Sequence, residues 1–365
     1  MNYNLDNAIS YHYEKFPPLN INYGFFIQEF SKATEALARF DQMMKNLHNT
    51  EILLAPLRNQ EAVISSRIEG TISTMDEIMQ YESENIENTN VKSDIIEAIL
   101  YQRALKNSQE ALEIGYDFSK NFIKQIHQQL LYLGRGANKS PGEFKKTQNF
   151  LANRITKSIE FIPISPEKLE DGLDIFFHFL NNSIEPSLIK TAIMHLEFEA
   201  LHPFEDGNGR IGRMLIPLNL WRDKMLSQPH FYISGYFETH KDLYIEQMRY
   251  VSKTGDWNNW IKFFLTAVEK QAIQNLEIAE NIKNLYENTK VGLSDLLSSK
   301  WTMEIVDFIF TSPIFRGNKP NIPSSSLGEI LKKMVDHNYL IIKEKSSGRK
   351  PALYSFEPLM NLVRI

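Results

Sequence analysis

The feature that most constrains this chain is a short glycine-containing turn between two helical segments. Residues 191–201 and 210–221 each place apolar side chains at helical spacing, which predicts a helix on either side of the turn. The turn, residues 203–209, reads PFEDGNG, and glycine, asparagine and aspartate accept the left-handed backbone of a tight reversal. The sequence therefore predicts two helices that meet at a compact turn.

The same turn provides groups that bind an anion. The first amides of a helix have no partner inside it, and the helix dipole makes that end positive. Gly207, Asn208 and Gly209 would let an anion approach those amides closely. Arg210 and Arg213 fall in the first turn of the second predicted helix, where a cation is unfavourable unless an anion joins it. This combination predicts a polyphosphate ligand.

Two further side chains of the stretch predict catalysis at that ligand. Asp206 lies at the turn, and Mg²⁺ prefers one or two carboxylates together with phosphate oxygens. His202 follows the first helix, and an imidazole can act as a general base near neutral pH. We therefore expect His202 to accept a proton and Asp206 to hold Mg²⁺ against the polyphosphate.

Residues 207–212 also match the G-x-G-x-x-G pattern of dinucleotide-binding folds. That pattern needs a strand before it and an acidic residue about twenty positions later. Here the preceding segment is a predicted helix, and residues 229–233 read PHFYI. The context therefore argues against a dinucleotide site.

A helical metal enzyme is a second alternative. Glu199 and His202 have the Glu-x-x-His spacing of di-iron bundles, and His195 lies on roughly the same helix face. Those sites need a second Glu-x-x-His from another helix, which this sequence lacks. In a third alternative, His202 is an ordinary core histidine and the two arginines belong to a solvated face.

Composition sets the class of protein. The chain has 365 residues, enough for two or three domains, and its 42% hydrophobic content is that of a globular protein. A net charge of −5 argues against nucleic acid as the main partner, and the absence of cysteine excludes disulfides and cysteine-based zinc sites. Neither a signal peptide nor a membrane-spanning run is evident, so we expect a cytoplasmic protein with no membrane partner.

From residue 202 to residue 213 the chain matches HxFxDGNGRxxR, and so resembles the Fic (filamentation induced by cAMP) family. The resemblance implies transfer of AMP from ATP to a hydroxyl side chain of a target protein, with release of pyrophosphate. It implies that His202 deprotonates the hydroxyl and that Asp206 binds Mg²⁺. It assigns the α and β phosphates to Asn208, Gly209 and Arg210, and the γ phosphate to Arg213.

A second motif lies in a predicted helix of residues 57–68, which follows a break at Pro56 and stops at Gly70. Ser65 to Gly70 reads SSRIEG and resembles the inhibitory helix that precedes the core in some Fic proteins. The resemblance implies that Glu69 pairs with the second motif arginine and blocks the γ-phosphate contact. An arginine fork bound to a carboxylate cannot bind a phosphate with the same donors. The resemblance also allows Glu69 to position water for the removal of AMP.

Residues 147–152 and 159–163 are two short strand-like segments around a polar turn, which predicts a β-hairpin. Its place ahead of the main motif is similar to the flap of Fic proteins, which binds the target backbone as an added strand. We expect Phe150, Leu151 and Ala152 to dock the target. An ordinary surface hairpin is the alternative.

The resemblance further implies that the region after the main motif lines the adenine pocket. Tyr236, Tyr244 and Tyr250 are the candidates, although aromatic residues at helical spacing commonly pack in a core. A long helix is predicted from residue 257 to residue 286.

The last 75 residues, 291–365, contain ten Lys and Arg against seven Asp and Glu. Helices at 302–310 and 326–337 precede two strand-like segments that flank a basic turn, an order that resembles a winged helix. DNA binding through that turn is one expectation. A protein-contact or dimer role is equally open, because residues 324–329 (SSSLGE) carry no Arg or Lys.

The sequence thus predicts a mainly α protein with a Fic-type core, a hairpin flap and a C-terminal winged helix. The expected domains are 1–95 with the inhibitory helix at about 57–70, the catalytic core at 96–290, and 291–365. The predicted activity is adenylylation of a Ser, Thr or Tyr hydroxyl with ATP and Mg²⁺. A silenced core that serves as an ATP-binding or DNA-binding regulatory module is the alternative, and a homo-oligomer stays open.

Overall fold

The computed structural model describes residues 4–6, 8–45, 50–84, 92–153 and 156–364, and the mainly α class is confirmed. The helices are α1 (Tyr23–Lys45), α2 (Thr50–Ile68), α3 (Met75–Ser83), α4 (Ser93–Glu113), α5 (Lys120–Leu130), α6 (Pro166–Asn182), α7 (Ser187–Leu201), α8 (Asn208–Arg222), α9 (Ser234–Thr239), α10 (Lys241–Thr254), α11 (Asn258–Leu297), α12 (Thr302–Thr311), α13 (Ser324–Asp336) and α14 (Glu357–Val363). The strands are β1 (Ile9–Ser10), β2 (Leu151–Asn153), β3 (Ser158–Ile162), β4 (Ile314–Arg316), β5 (Ile341–Glu344) and β6 (Leu353–Ser355).

Helix α7 is the centre of the core. It packs against α6, α8 and α11, and nearly all of its residues are buried, as expected of a helix that is apolar on most sides. Helix α11, which is longer than predicted at 40 residues, also packs along α1. Among the described residues, no helix combines the length and the apolar composition that crossing a bilayer requires. The connection between α7 and α8 therefore begins at a buried helix that is packed on several sides.

The prediction that Pro56 breaks the helix before residue 57 is wrong. Helix α2 begins at Thr50 and continues through Pro56 to Ile68, within the second motif. A proline inside a helix removes one backbone donor and crowds the preceding turn. Here Ile52, Leu54 and Leu57 are all at most 3% exposed, so tertiary packing of the surrounding residues holds the helix together.

The predicted hairpin is present, and a third strand joins it. Strands β2 and β3 pair antiparallel, while β1 pairs parallel with β3 at Ile9 and Phe161. The sheet order is β1-β3-β2, so the N-terminal arm covers one edge of the hairpin. Residues 154–155 of the predicted turn lie outside the described residues.

Helices reach into both ends of the polar, acidic stretch of residues 81–96. Helix α3 runs to Ser83, and α4 begins at Ser93. A capping box at Thr74 and Glu77 starts α3, because each side chain accepts a hydrogen bond from the other residue's backbone amide. Residues 85–91 lie outside the described part of the chain.

The C-terminal region contains more elements than the sequence predicted. Its order is α12, β4, α13, β5, β6, α14, with an antiparallel sheet of order β4-β6-β5. The sequence patterns did not indicate β4 and α14, since both are short. The basic turn joins β5 to β6 as expected, and the assignment of the region as a winged helix stays a prediction.

Candidate active site

The backbone reverses at His202, which caps the C-terminus of α7. His202 adopts the left-handed conformation, with φ 46° and ψ 59°. Its Nδ1 lies 3.3 Å from the backbone oxygen of Glu199, which can accept a hydrogen bond from a protonated Nδ1. In that tautomer Nε2 carries a lone pair and can act as a general base. Burial, together with the charge of Lys145, lowers the pKa of His202 to about 4. The imidazole is therefore neutral at pH 7.

The turn itself is closed by Asn208. Its Oδ1 accepts a hydrogen bond from the Phe204 amide at 2.9 Å, and its Nδ2 donates to the Phe204 oxygen at 2.8 Å. Gly207 precedes α8 at φ 79°, a conformation that glycine adopts freely. The Asn208 side chain is thus used to shape the turn, and only its backbone amide can face an anion at the start of α8.

Helix α8 begins two residues earlier than predicted, and this changes the placement of one arginine. Arg210 lies in the first turn, but Arg213 lies in the second turn, so the prediction that both occupy the first turn is wrong. The unfavourable effect of the helix dipole falls off within the first turn, so Arg213 experiences less of it. Both guanidinium groups are buried, with 2% exposure each.

Arg213 binds the segment that carries the second motif. Its Nε donates to Ser65 Oγ at 2.9 Å, and its Nη2 donates to the Ser65 oxygen and to Glu69 Oε1, both at 2.8 Å. Burial by itself would raise the pKa of Glu69, but the positive charge of Arg213 has the larger effect, so the pKa of Glu69 is lowered. The predicted pair of Glu69 with Arg213 is therefore formed.

Glu69 also lies over the start of α8. A Cβ atom at position 209 would clash with Glu69 Oε1, so Gly209 is what lets the carboxylate approach the helix this closely. The Glu69 side chain is 35% exposed, just beyond the end of α2 and next to Gly70, which has φ 94°. An anionic group of this chain therefore occupies the predicted anion site.

Arg210 pairs with an acid that the sequence patterns did not single out. Its Nη1 donates to Glu97 Oε2 at 3.0 Å, and Glu97 on α4 also accepts a hydrogen bond from Arg135. The Arg210 Nη2 lies 3.5 Å from Asp206 Oδ1. No local sequence pattern identifies Glu97, because its partner Arg210 lies 113 residues later in the sequence.

Asp206 retains the exposure that a metal ligand needs. Its side chain is 43% exposed, and its Oδ1 accepts a hydrogen bond from the Gly207 amide at 2.7 Å. Within the described residues, no three His, Asp or Glu side chains form a metal cluster. A single carboxylate suits Mg²⁺ that takes its other ligands from phosphate and water.

His127 supports the motif turn from α5. Its ring stacks on Phe204 with centroids 3.9 Å apart, its Nε2 donates to the backbone oxygen of Asp206, and its Nδ1 accepts from the Gly142 amide. Burial lowers the pKa of His127 to about 4, so the ring is neutral and can make both bonds. His127 therefore supports the shape of the motif turn.

Lys145 and Asn149 hold the other side of the turn, and sequence patterns missed both. Lys145 Nζ donates to the Leu201 oxygen at 3.0 Å and to Asn149 Oδ1 at 2.8 Å. Asn149 Nδ2 donates to the backbone oxygens of His202 and Phe204. Burial lowers the pKa of Lys145 to about 7. The shape of the turn thus depends on residues that lie more than 50 positions upstream.

Three alternatives from the sequence are contradicted by this geometry. Both ring nitrogens of His195 are hydrogen-bonded, Nδ1 to the Gly212 oxygen and Nε2 to Tyr244 Oη, so His195 cannot join Glu199 and His202 at a metal. The dinucleotide pattern fails because helix α7 precedes it where a strand is needed. His202 is partly exposed and is not an ordinary core histidine.

The three predicted adenine-pocket tyrosines differ in their surroundings, and their role stays a prediction. Tyr244 is 3% exposed and bound to His195, whereas Tyr250 is 40% exposed. Tyr236 stacks on His240 with centroids 4.0 Å apart. Tyr236 lies on α9, and Tyr244 and Tyr250 lie on different faces of α10. Helical spacing alone does not show which of these faces meets a ligand.

A cavity of about 200 Å³ lies beside the motif instead, and none of those tyrosines lines it. It is enclosed by the hairpin strands β2 and β3 and by helices α7 and α10, and Leu151, Ala152 and Glu199 belong to its wall. Phe150, immediately before β2, is 49% exposed. One Glu199 oxygen is buried without a hydrogen-bond partner among the described residues, and burial raises the Glu199 pKa to about 8.

Comparison with known proteins identifies relatives of this arrangement. The family model described as Fic/DOC family N-terminal matches residues 27–110, and the Fic/DOC family model matches residues 117–220. A probable protein adenylyltransferase of Aquifex aeolicus is 22% identical over 253 residues, which are 65% of this chain and 75% of that protein. The protein adenylyltransferase fic-1 of Caenorhabditis elegans is 30% identical over 110 residues, 29% of this chain, and the match spans only a fifth of that protein's length.

Solved structures agree at the level of the fold. A Fic family protein from Desulfovibrio desulfuricans superposes with a TM-score of 0.60 and 17% identity, over 93% of this chain and 98% of that one. Fic-1 from C. elegans superposes with a TM-score of 0.54 and 19% identity, over 70% and 73% of the two chains. The two family models together span just over half of the 365 residues. This chain belongs to the Fic/DOC family.

Proposed function

We propose that this protein transfers AMP from ATP to a Ser, Thr or Tyr hydroxyl of a target protein, and that Glu69 holds it inactive. The observation that carries the proposal is the Glu69 carboxylate, which lies on Arg213 and over Gly209 at the start of α8. The carboxylate supports an anion site at this place, and it also supports inhibition, because a phosphate and Glu69 would need the same donors. The names of the related adenylyltransferases support the reaction.

The proposed reaction uses His202 as the general base. Its Nε2 accepts the proton of the target hydroxyl, and the hydroxyl oxygen attacks the α phosphorus of ATP. The bond to the bridging oxygen breaks, and pyrophosphate leaves with the electron pair. The amides of Asn208, Gly209 and Arg210 and the Arg213 guanidinium hold the phosphates in line. Mg²⁺ on Asp206 would neutralise phosphate charge.

The cavity between the hairpin and α10 is our candidate for the nucleoside of ATP. It borders α7 at Glu199, one turn before His202, and its wall is largely apolar, as nucleobase sites are. This proposal replaces the three tyrosines. The hairpin would dock the target at β2, since β1 already covers β3 on its other side.

The decisive experiment uses ATP labelled at the α phosphate. We expect Glu69→Gly protein to incorporate label into itself or into proteins of a lysate, and wild type to incorporate far less. Adding His202→Ala to Glu69→Gly should lower the rate by about 10²–10⁴-fold, because the general base is lost.

A Glu69→Gly protein that binds ATP without any labelling would contradict the transferase proposal, and would favour the silenced regulatory module. Pre-labelled protein tests reversal in the same assay. Release of AMP by wild type that is lost in Glu69→Gly would support removal of AMP through Glu69, whereas equal release by both would overturn it.

A further inference from the structure

The segment that follows Glu69 is attached to the C-terminal region by ion pairs. Asp76, in the first turn of α3, accepts hydrogen bonds from Arg364 Nε and Nη2 at 2.9 and 3.0 Å, and also pairs with Lys343. Near the end of α3, Glu84 pairs with Arg316 at 2.6 Å. Both ends of α3 are thus held by cations of the C-terminal region.

The helix that carries Glu69 rests on the same region. Helix α2 packs against α12 and α14, and Gln60 on α2 donates to the Val363 oxygen at 3.4 Å. Between α2 and α3 the chain has only six residues, 69–74. In that connection, the Ile72 amide donates to Asp94 on α4 at 2.9 Å. The position of Glu69 is therefore restrained from both sides.

The basic turn of the C-terminal region takes part in this contact. Lys343 pairs with Asp76, and Lys350 lies 3.5 Å from Glu84 and 3.2 Å from Glu344. Lys343 at the end of β5 and Lys350 in the basic turn, for which DNA contact is one expectation, are thus turned towards acids of this same chain. Their carboxylate partners are about a third exposed, so each pair contributes little alone, and the network can be released.

We infer that the C-terminal region clamps the inhibitory segment, so that the Asp76 and Glu84 ion pairs determine how firmly Glu69 stays on Arg213. This inference rests on the proposed function for its activity readout. Loosening α3 frees the six-residue connection and lowers the fraction of protein with Glu69 in place. The clamp thus adjusts inhibition at a distance from the motif.

The test compares Asp76→Lys with the charge-exchanged Asp76→Lys/Lys343→Asp protein. Asp76→Lys places a cation beside Lys343 and Arg364, and we expect AMP transfer to rise about three- to tenfold towards the Glu69→Gly rate. Hydrogen exchange of residues 66–74 should rise with it. The double variant retains Lys at position 76 and restores an opposite-charge pair, so it should lower both readouts again. Glu329→Lys on α13, which breaks only the local pair with Lys333, is the control and should change neither.

Unchanged exchange of residues 66–74 and unchanged transfer in folded Asp76→Lys would overturn the clamp, as would a double variant as active as the single. If Asp76→Lys does not fold, Asp76→Asn removes the charge without reversing it and should raise the hydrogen exchange of residues 66–74 more modestly. Unchanged exchange in Asp76→Asn would also contradict the clamp. If Glu69→Gly itself transfers no AMP, the proposed function fails, while the exchange measurements still decide whether the clamp exists.

Discussion

Arg213 is a buried cation with three hydrogen bonds to a single segment of the chain, two to Ser65 and one to Glu69. The Ser65 bonds fix the orientation of the guanidinium, so Glu69 can leave without Arg213 losing its position. A planar guanidinium with several donors suits this exchange of anions better than a lysine would. At the residue scale, the proposed inhibition is therefore a competition between a carboxylate and a phosphate for one donor group.

His195 offers a separate residue-scale prediction on acid stability. Burial lowers its pKa to about 3, whereas an unfolded histidine titrates near 6.5. Between these two pH values His195 is protonated in the unfolded chain but neutral in the folded protein. The stability that neutral His195 contributes is therefore complete above pH 6.5 and is lost as the pH falls. When the pH is lowered from 6.5 to 5, the free energy of unfolding of His195→Gln should therefore fall by about 2 kcal/mol less than that of wild type.

Urea unfolding of both proteins at the two pH values measures that difference. Comparing the two losses cancels the opposite pH dependence of Glu61 and Glu199, whose pKa values burial raises to about 7 and about 8. Equal losses in wild type and variant would show that His195 is not held neutral by burial.

At the scale of elements, the motif turn is held by side chains from outside its own sequence. His127, Lys145 and Asn149 donate to its backbone oxygens, and Asn208 closes it from within. Backbone oxygens at a sharp turn lack helical partners, so these bonds replace the missing ones. The motif turn therefore depends on α5 and on the segment before the hairpin.

Asn208→Ala should destabilise the protein by about 1–3 kcal/mol, because the buried Phe204 amide loses its acceptor. Asn208→Asp keeps an acceptor for that amide and should cost less. Denaturant unfolding of the two variants separates these outcomes. A loss in Asn208→Ala no greater than in Asn208→Asp would mean that the side-chain bonds to Phe204 do not hold the turn.

The sequence predicted those elements whose signal is local. The helices on both sides of the motif, the hairpin and the Glu69 motif follow from spacing, turn residues and resemblance. Pro56 misled because burial of its neighbours outweighs the local cost of proline. Glu97, Lys145 and Asn149 could not be predicted, since each acts through a partner distant in sequence. The role of the three tyrosines stays a prediction, since helical spacing does not reveal which face of a helix meets a ligand.

At the scale of the whole molecule, distant segments meet around the core. The N-terminal arm joins the hairpin sheet, and His12 in that arm pairs with Glu197 of α7 at 2.8 Å, with both side chains fully buried. Buried polar side chains need hydrogen-bond partners, so the arm belongs to the folded core. The C-terminal region contacts α2 and α3, which lie in the first quarter of the sequence. Sequence-based domain boundaries miss such contacts.

The measurement that tests the central claim most directly is a pair of crystal structures with MgATP, one of wild type and one of Glu69→Gly. The account predicts that in Glu69→Gly the γ phosphate lies on Arg213 and the α phosphate faces His202. In wild type, Glu69 should remain on Arg213, and the phosphates should be displaced from that position. A γ phosphate bound to Arg213 while Glu69 is still paired with it, or phosphates away from the start of α8 in both proteins, would contradict the account.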